Sequence, residues 1–322
     1  MLGSAAISPL AVWDVVLSRL PGLGHFASQN WPAAYDTIIW DLRLPRVVLS
    51  ALVGAGLGLA GVGIQALVRN SLADPYILGV SSGASLGATL VLLFGAFAVL
   101  GPYALAIAAF LGALAAILVV ITVSQVAGRI TTTRLLLSGI ALSLVLGAAI
   151  STIFLVAPNN DRLRSALFWM MGSFNGASWA FVPLVAAVVA AAFAFLLLQA
   201  RALNLLLLGE EAAVTLGLDV NRFRRQLVVV VAVVTGVLVA ASGPIGFVGL
   251  MVPHLARVCV GPDHRRVLVV SLLSGAIFMV GADIVARVVI APAELPIGAV
   301  TALVGGPFFI WLLRRSRYTF GA

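Results

Sequence analysis

The sequence predicts an all-α fold, a polytopic bundle of about nine membrane-spanning helices. The chain has 322 residues, of which 62% are hydrophobic and only 9% charged, whereas soluble domains carry roughly 25% charged residues. Apolar runs of about 20 residues, the length that crosses a bilayer, recur along the chain. We therefore expect a single transmembrane domain over residues 1–322, with no separate soluble domain.

The N-terminal region is predicted to precede the spans. Asp14 and Arg19 interrupt the apolar run of residues 1–20, and residues 21–43 are loop-like and rich in the aromatic residues that favour a membrane surface. Nine candidate spans follow, at residues 45–68, 76–98, 101–126, 134–157, 178–199, 226–242, 245–260, 267–290 and 297–313.

Two features inside the spans concern helix packing. Gly54 and Gly58 lie four residues apart, which is the spacing of closely packed membrane helices. Tight packing is the favoured interpretation, and a flexible helix that lines a pathway is the alternative. Ser242-Gly243-Pro244 predicts a hairpin between the two short spans that flank it. Cys259, the single cysteine, is predicted to be a small core residue.

The arginines predict the orientation, because positively charged loops stay in the cytoplasm. Alternate loops form two sets, one with twelve arginines and one with five. The larger set holds Arg69, Arg129, Arg134, Arg201, Arg222, Arg224, Arg225, Arg265, Arg266, Arg314, Arg315 and Arg317. The smaller set holds Arg19, Arg43, Arg46, Arg162 and Arg164. The C-terminus and the segment 201–225 are therefore predicted to be cytoplasmic.

All 19 basic residues are arginine. The absence of lysine excludes a Walker A phosphate loop, which requires one, and a Schiff-base mechanism. If ATP drives this protein, another chain must bind it. The sequence also has no zinc-protease motif, nucleophile elbow or cluster of cysteine and histidine, so it predicts no metal site and no enzyme. His254 lies alone within a span, where a packing role is favoured.

A polar segment between two spans is the most informative stretch. Residues 203–208 and 211–218 are predicted to form two short amphipathic helices, broken at Gly209. Glu210 and Glu211 are the adjacent pair of carboxylates in the chain. A polar segment held between membrane spans predicts a docking surface, and we expect it to receive a partner that supplies energy.

Charged residues near the other end of the spans leave alternatives open. Asp283 and Arg287 are four residues apart on one helix face and are predicted to pair, or Arg287 faces an external partner. Arg43 and Arg46 suit either the lipid headgroups or acidic groups of a partner. Arg162 and Arg164 are predicted to lie in an outer loop, where solvation is favoured and contact with an anionic substrate or a partner is the alternative.

Two stretches of small polar residues stand at the cytoplasmic starts of predicted spans, residues 78–85 and Thr131–Thr133. They suit a constriction that opens and closes, and helix capping and packing are equally compatible with them.

Five blocks of the sequence closely resemble the FecCD-like permease subunits of type II ABC importers, which carry haem, ferric siderophores or cobalamin. They are RLPRVVLSALVGAGLGLAGVGIQALVRNSLADPYILGVSSGAS (43–85), GEEAAVTLGL (209–218), GPIGFVGLMVPHLAR (243–257), GPDHRR (261–266) and ADIVARVVIAPAELPIGAVTALVGGPFFIWLL (282–313). The resemblance covers residues 30–315.

The resemblance implies a homodimer of permeases in the bacterial inner membrane, two cytoplasmic ATPases that bind ATP and Mg²⁺, and a periplasmic binding protein. It implies no cofactor in this chain, and no nucleic-acid partner is expected. The transported substrate is expected to be haem, with cobalamin or a ferric siderophore as alternatives and a haem-handling protein without transport as a distant one. Family members usually have ten spans, so we expect the first to be missing here.

The resemblance also assigns roles to residues. Residues 203–218 would form the coupling helices, with contacts from Leu205, Leu208, Gly209, Glu210, Glu211, Leu216 and Gly217. Arg43, Arg46 and Arg287 would pair with glutamates of the binding protein. Ser81, Ser82, Thr132 and Thr133 would lie at the cytoplasmic gate. If haem is the substrate, Arg162 and Arg164 suit its propionates, and Met170 and Met171 are expected to contact the macrocycle.

Overall fold

The structure, a computed structural model, describes residues 7–19, 25, 31–126 and 129–315. Its fourteen α-helices within these ranges are α1 (Pro9–Arg19), α2 (Ala33–Asp36), α3 (Leu44–Val68), α4 (Val80–Phe94), α5 (Ala104–Ser124), α6 (Thr132–Leu155), α7 (Asn160–Met170), α8 (Val182–Leu198), α9 (Ala200–Leu207), α10 (Glu210–Thr215), α11 (Val220–Ser242), α12 (Val248–Val260), α13 (His264–Val288) and α14 (Ile297–Arg315). A π-helical segment, Thr37–Arg43, joins α2 to α3. Short 3₁₀ helices cover Pro75–Leu78 and Ala98–Tyr103, and the two-residue strands β1 (Gln125–Val126) and β2 (Arg129–Ile130) form a hairpin.

The all-α membrane fold is confirmed. Within the described ranges, five helical segments are long and apolar enough to cross a membrane: Ala33–Val68, Ala98–Ser124, Thr132–Leu155, Val220–Ser242 and His264–Val288. A sixth results if α8 and α9, bent by 59° at their junction, count as one span. Three shorter apolar helices are α4, α12 and the Ile297–Leu312 part of α14. Each of the nine predicted spans therefore overlaps one apolar helical segment.

Helix α3 lies at the centre of the bundle. In its most apolar stretch 78% of the residues are buried, against 11% in α6. Glycines allow the close approach: a Cβ placed on Gly54 would overlap the carbonyl oxygen of Gly275 in α13, and one on Gly61 would overlap that of Gly249 in α12. The predicted tight packing is confirmed, because α3 meets two neighbouring helices backbone against backbone.

Three local predictions were wrong. Residues 33–43 are helical and continue into α3, whereas a loop was predicted. Arg162 and Arg164 lie on a helix, α7, because Asn159 caps it by accepting a hydrogen bond from the Arg162 N–H at 2.8 Å. Cys259 is exposed on the surface of α12, whereas a core position was predicted. The prediction was wrong because the apolar pattern of a membrane helix does not distinguish its lipid-facing side from its packed side. The predicted loop residues 21–24 and 26–30 lie outside the described residues.

The substitution Gly275→Ala is expected to destabilise the bundle. The new Cβ would overlap the Gly54 carbonyl oxygen, and overpacking typically costs about 1–3 kcal/mol. Thermal unfolding of the purified protein in detergent should show a lower midpoint. Gly281→Ala, on the same helix, is the control because no atom lies within 4 Å of a Cβ there. Equal losses in the two variants would contradict the role of close packing.

Candidate functional site

A group of irregular segments meets in the middle of the bundle. Ser173 N–H donates to the Ser242 carbonyl at 2.8 Å, which joins the end of α7 to the end of α11. The N–H groups of Ile297 and Gly298 donate to the carbonyls of Gly172 and Met171 at 3.0 and 2.9 Å. Backbone groups away from water require such partners. The ends of α7 and α11 and the start of α14 are therefore joined at one place.

Tyr76 ties the 3₁₀ turn after α3 to the same place. Its hydroxyl donates to the Ile245 carbonyl at 3.1 Å and accepts from the Ile245 N–H at 2.9 Å. Asp74 begins the turn by accepting a hydrogen bond from the Tyr76 N–H at 2.8 Å. Neither residue was among the site residues predicted from the sequence, although Asp74-Pro75 is a recognisable start of a turn.

These segments line an open cavity of about 550 Å³, which we call the central cavity. Its lining brings together four residues that were singled out in the sequence, Ser81, Ser82, Met170 and Met171. Helix α6 contributes Gly147 and Ile150, and the remaining wall includes Phe247 and Ala302. The cavity thus offers hydroxyl groups, thioethers and an aromatic ring, a surface suited to contact with a large apolar ligand.

The other predicted substrate and gate residues lie elsewhere. Arg162 donates to the Leu93 carbonyl at 2.8 Å and so ties α7 to α4. Arg164 lines a different cavity of about 560 Å³, together with Phe181. Thr132 and Thr133 begin α6, which Thr131 caps by accepting from the Arg134 N–H at 3.4 Å. The predicted substrate set is therefore divided between two cavities and a helix contact.

One end of the bundle carries a dense ion-pair network, and we call it the Arg46 end. Arg46 Nη2 lies 2.8 Å from Asp283 Oδ1, and its Nη1 lies 3.0 Å from Glu294 Oε2. Arg287 pairs with Asp283 at 3.0 Å, which confirms the predicted i,i+4 pair. Asp283 is 1% exposed, so this network is a structural connection between α3, α13 and the segment before α14.

The same arginines face a recess. Arg43, Arg46 and Arg287 all line a cavity of about 320 Å³ at the Arg46 end, with Asn175 and Glu294. The three arginines outnumber the carboxylates Asp283 and Glu294, so the recess carries an excess of positive charge. The structure brings the three predicted docking arginines together, and their contact with a partner stays a prediction.

The opposite end, which we call the Glu210 end, carries α9 and α10. Gly209 joins these helices with φ 104°, a conformation that favours glycine, as predicted. Their exposed face includes Leu208, Glu211, Leu216 and Gly217, while Leu205 is half-buried. Leu207 and Val214 extend the apolar surface. This is a patch of apolar side chains next to a carboxylate, which is typical of a protein interface.

The two adjacent glutamates differ in their surroundings. Glu210 Oε2 accepts a hydrogen bond from the buried Arg224 at 3.0 Å, so it ties α10 to α11. Glu211 is exposed and has no ion pair among the described residues. Arg224 is therefore part of the structure behind the surface, and Glu211 is the carboxylate available to a partner.

A second polar contact fastens α9 to α13. Asn204 Nδ2 donates to Asp263 Oδ1 at 2.7 Å, and Asn204 Oδ1 accepts from the backbone N–H of His264 at 2.9 Å. The Asn204 hydrogen bond and the Arg265 N–H hold the pKa of Asp263 below its usual range. This contact was not predicted from the sequence because its two sides are about 60 residues apart. No group of three metal-ligating residues is present in the described part of the chain.

Comparisons with known proteins give consistent results. The model of the FecCD transport family matches residues 1–315. The "Cobalamin import system permease protein BtuC" of Halobacterium salinarum is 46% identical over 88% of this chain and 75% of its own length. The "Hemin transport system permease protein HmuU" of Yersinia pestis is 41% identical over 89% of this chain and 85% of its own. A solved inward-facing structure of a metal-chelate type ABC transporter has a TM-score of 0.81 at 33% identity, covering 95% of this chain and 97% of that one.

Lowering the pH is expected to stabilise the protein through Asp74. Partial burial raises the pKa of this carboxyl to about 6. The backbone hydrogen bonds from Tyr76 and Phe247 lower the pKa, but burial has the larger effect. A raised native pKa means that the folded state binds the proton more tightly than the unfolded chain, so stability rises as the pH falls from about 7 towards 4. Thermal unfolding at several pH values should show this gain reduced in Asp74→Asn. Parallel pH profiles for the two proteins would exclude the assignment.

Proposed function

Since this chain belongs to the FecCD transport family and is a permease of a type II ABC importer, we propose that it imports a tetrapyrrole metal chelate by alternating access. The central cavity is the observation that carries the proposal. It is lined by the end of α7, the connection between α11 and α12 and the first turn of α14, and irregular backbone in a membrane protein is tolerated where it lines a cavity. Its methionines and Phe247 suit the face of a macrocycle, and Ser81 and Ser82 suit its polar edge.

Helix α6 supports a dimeric pathway. It contributes Gly147 and Ile150 to the central cavity, while Leu137 and Leu144 on its length are 60% and 70% exposed. A second copy of the permease packed along α6 would cover this apolar surface and complete the pathway between the two chains. Opening and closing at Ser81, Ser82, Thr132 and Thr133 would then form the cytoplasmic gate.

Haem and cobalamin are equal candidates for the substrate. Relatives that cover most of the chain carry both names. Haem was expected from the sequence because outer-side arginines suit its propionates. Arg162 is bonded to a backbone carbonyl, however, and Arg164 lines another cavity. Met170 and Met171 suit either macrocycle, so the central cavity supports the tetrapyrrole class rather than one member.

Energy would come from two ATPase subunits that bind ATP and Mg²⁺ and dock at the Glu210 end. The absence of lysine makes a separate nucleotide-binding chain necessary. The exposed face of α9 and α10 provides the surface. This end and the C-terminus would be cytoplasmic in the bacterial inner membrane, and the Arg46 end would receive a periplasmic binding protein, whose carboxylates Arg43, Arg46 and Arg287 attract.

Uptake into proteoliposomes is the test of this function. The permease, its ATPase and its binding protein are reconstituted, and uptake of haem and of cobalamin is measured with and without ATP. We expect ATP-dependent uptake of one of them. Vesicles without the ATPase are the control, since uptake by the permease alone would contradict the proposal.

The two glutamates of α10 should separate coupling from stability. Glu211→Gln is expected to weaken ATPase association roughly two- to fivefold, as an exposed interface charge does, with unchanged thermal stability. Glu210→Gln is expected to lower stability by about 1 kcal/mol because Arg224 loses a half-exposed carboxylate partner. Association is measured by titrating the ATPase onto the permease in nanodiscs. Glu211→Gln with wild-type association would remove Glu211 from the interface.

A further inference from the structure

Every guanidinium nitrogen of Arg46 already has an acceptor. Nε and Nη2 reach Asp283 Oδ1 at 2.9 and 2.8 Å. Nη1 reaches both carboxylate oxygens of Glu294 at 3.0 Å and Asn175 Oδ1 at 2.9 Å. The Arg46 side chain is 11% exposed. Because both protons of Nη1 are in use, a carboxylate on an arriving partner can bind this nitrogen closely only by replacing one of its present acceptors.

The two carboxylates around Arg46 differ in how firmly they are held. Asp283 is 1% exposed and is shared with Arg287 at 3.0 Å. Removing it from the network would leave buried charges unpaired, which is costly. Glu294 is 30% exposed and lies in the connection between α13 and α14. Its carboxylate can turn into water at little cost, because partly exposed ion pairs contribute little.

We propose that Glu294 is a displaceable internal counter-ion, whose place on Arg46 Nη1 is taken by an acidic side chain of the periplasmic binding protein. This inference rests on the proposed docking at the Arg46 end. Glu294 imitates the partner's carboxylate in the free permease, so it keeps Arg46 oriented and lowers the affinity for the partner. Asp283 remains in place during the exchange and holds the other edge of the guanidinium group.

The position of Glu294 connects this exchange to the central cavity. Leu295 N–H donates to the Ala286 carbonyl at 2.9 Å. Shortly after it, the N–H groups of Ile297 and Gly298 donate to the carbonyls of Gly172 and Met171 at the cavity wall. Only a few residues separate the carboxylate from these bonds. Release of Glu294 thus removes a restraint on the segment that leads into α14, which lines the cavity at Gly298, Ala299 and Ala302.

The test measures the affinity of the binding protein for the permease–ATPase complex in nanodiscs. Glu294→Gln is expected to raise the affinity about fivefold, because the amide competes weakly for a guanidinium. Asp41→Asn is the matched control. Asp41 is exposed on the π-helical segment that also carries Arg43, and it has no ion pair among the described residues. The Asp41→Asn substitution removes the same charge from the same end of the bundle, at a residue that does not contact Arg46.

A second variant separates displacement from net charge. Glu294→Asp keeps the charge but shortens the side chain, so it should raise the affinity by a smaller factor than Glu294→Gln. Thermal unfolding of each variant verifies that it is folded. Equal gains in Glu294→Gln and Asp41→Asn, or weaker binding in Glu294→Gln, would overturn the inference.

Arg46→Gln distinguishes failure of the inference from failure of the docking proposal. If Arg46→Gln weakens association while Glu294→Gln leaves it unchanged, docking at this end stands and the displacement is refuted. If Arg46→Gln binds the partner as tightly as the wild type, the partner does not bind Arg46 and the displacement is refuted, whereas docking through Arg43 and Arg287 is not.

Discussion

The close backbone packing of α3 is the constraint on which the rest of the structure depends. Lipid tails are as apolar as leucine, so helices in a bilayer gain little from burying apolar surface against each other. Close van der Waals contact between helices drives their association instead. The pairs Gly54–Gly275 and Gly61–Gly249 bring α13 and α12 against α3. These contacts place Arg46 beside Asp283 and set the positions of both polar ends.

The central cavity follows from a second constraint, the need to satisfy every backbone polar group away from water. Helices α7 and α11 end and α14 begins near the same place, and backbone N–H and carbonyl groups of these segments bond to one another. Tyr76 completes the set by serving Ile245 as both donor and acceptor. The helix ends therefore leave room for the cavity while its wall stays hydrogen-bonded.

Helix α13 connects the two polar ends. Its first residues bond to Asn204 of α9 at the Glu210 end, and Asp283 near its last turn binds Arg46 and Arg287 at the other. Between them, Gly275 holds the helix against α3. The proposed ATPase and binding-protein surfaces are thus attached to one packed helix, a physical route by which events at one end can influence the other.

The sequence by itself determined the membrane bundle, the approximate spans, the Asp283–Arg287 pair and the joint at Gly209. These depend on composition, on apolar run length and on spacings of a few residues, which local physics translates directly into structure. Sequence reasoning also placed the candidate docking arginines and the paired glutamates, although it did not distinguish Glu210 from Glu211.

Only the tertiary structure decided which of these groups meet. Glu294 and Asn175 reach Arg46 across 248 and 129 residues of sequence, and Arg224 selects Glu210 as its partner. It also separated Met170 and Met171 from Arg164, and exposed Cys259. Such outcomes depend on which face each helix turns towards its neighbours. In an almost uniformly apolar chain the sequence carries little record of that choice, because packed and lipid-facing residues are chemically alike.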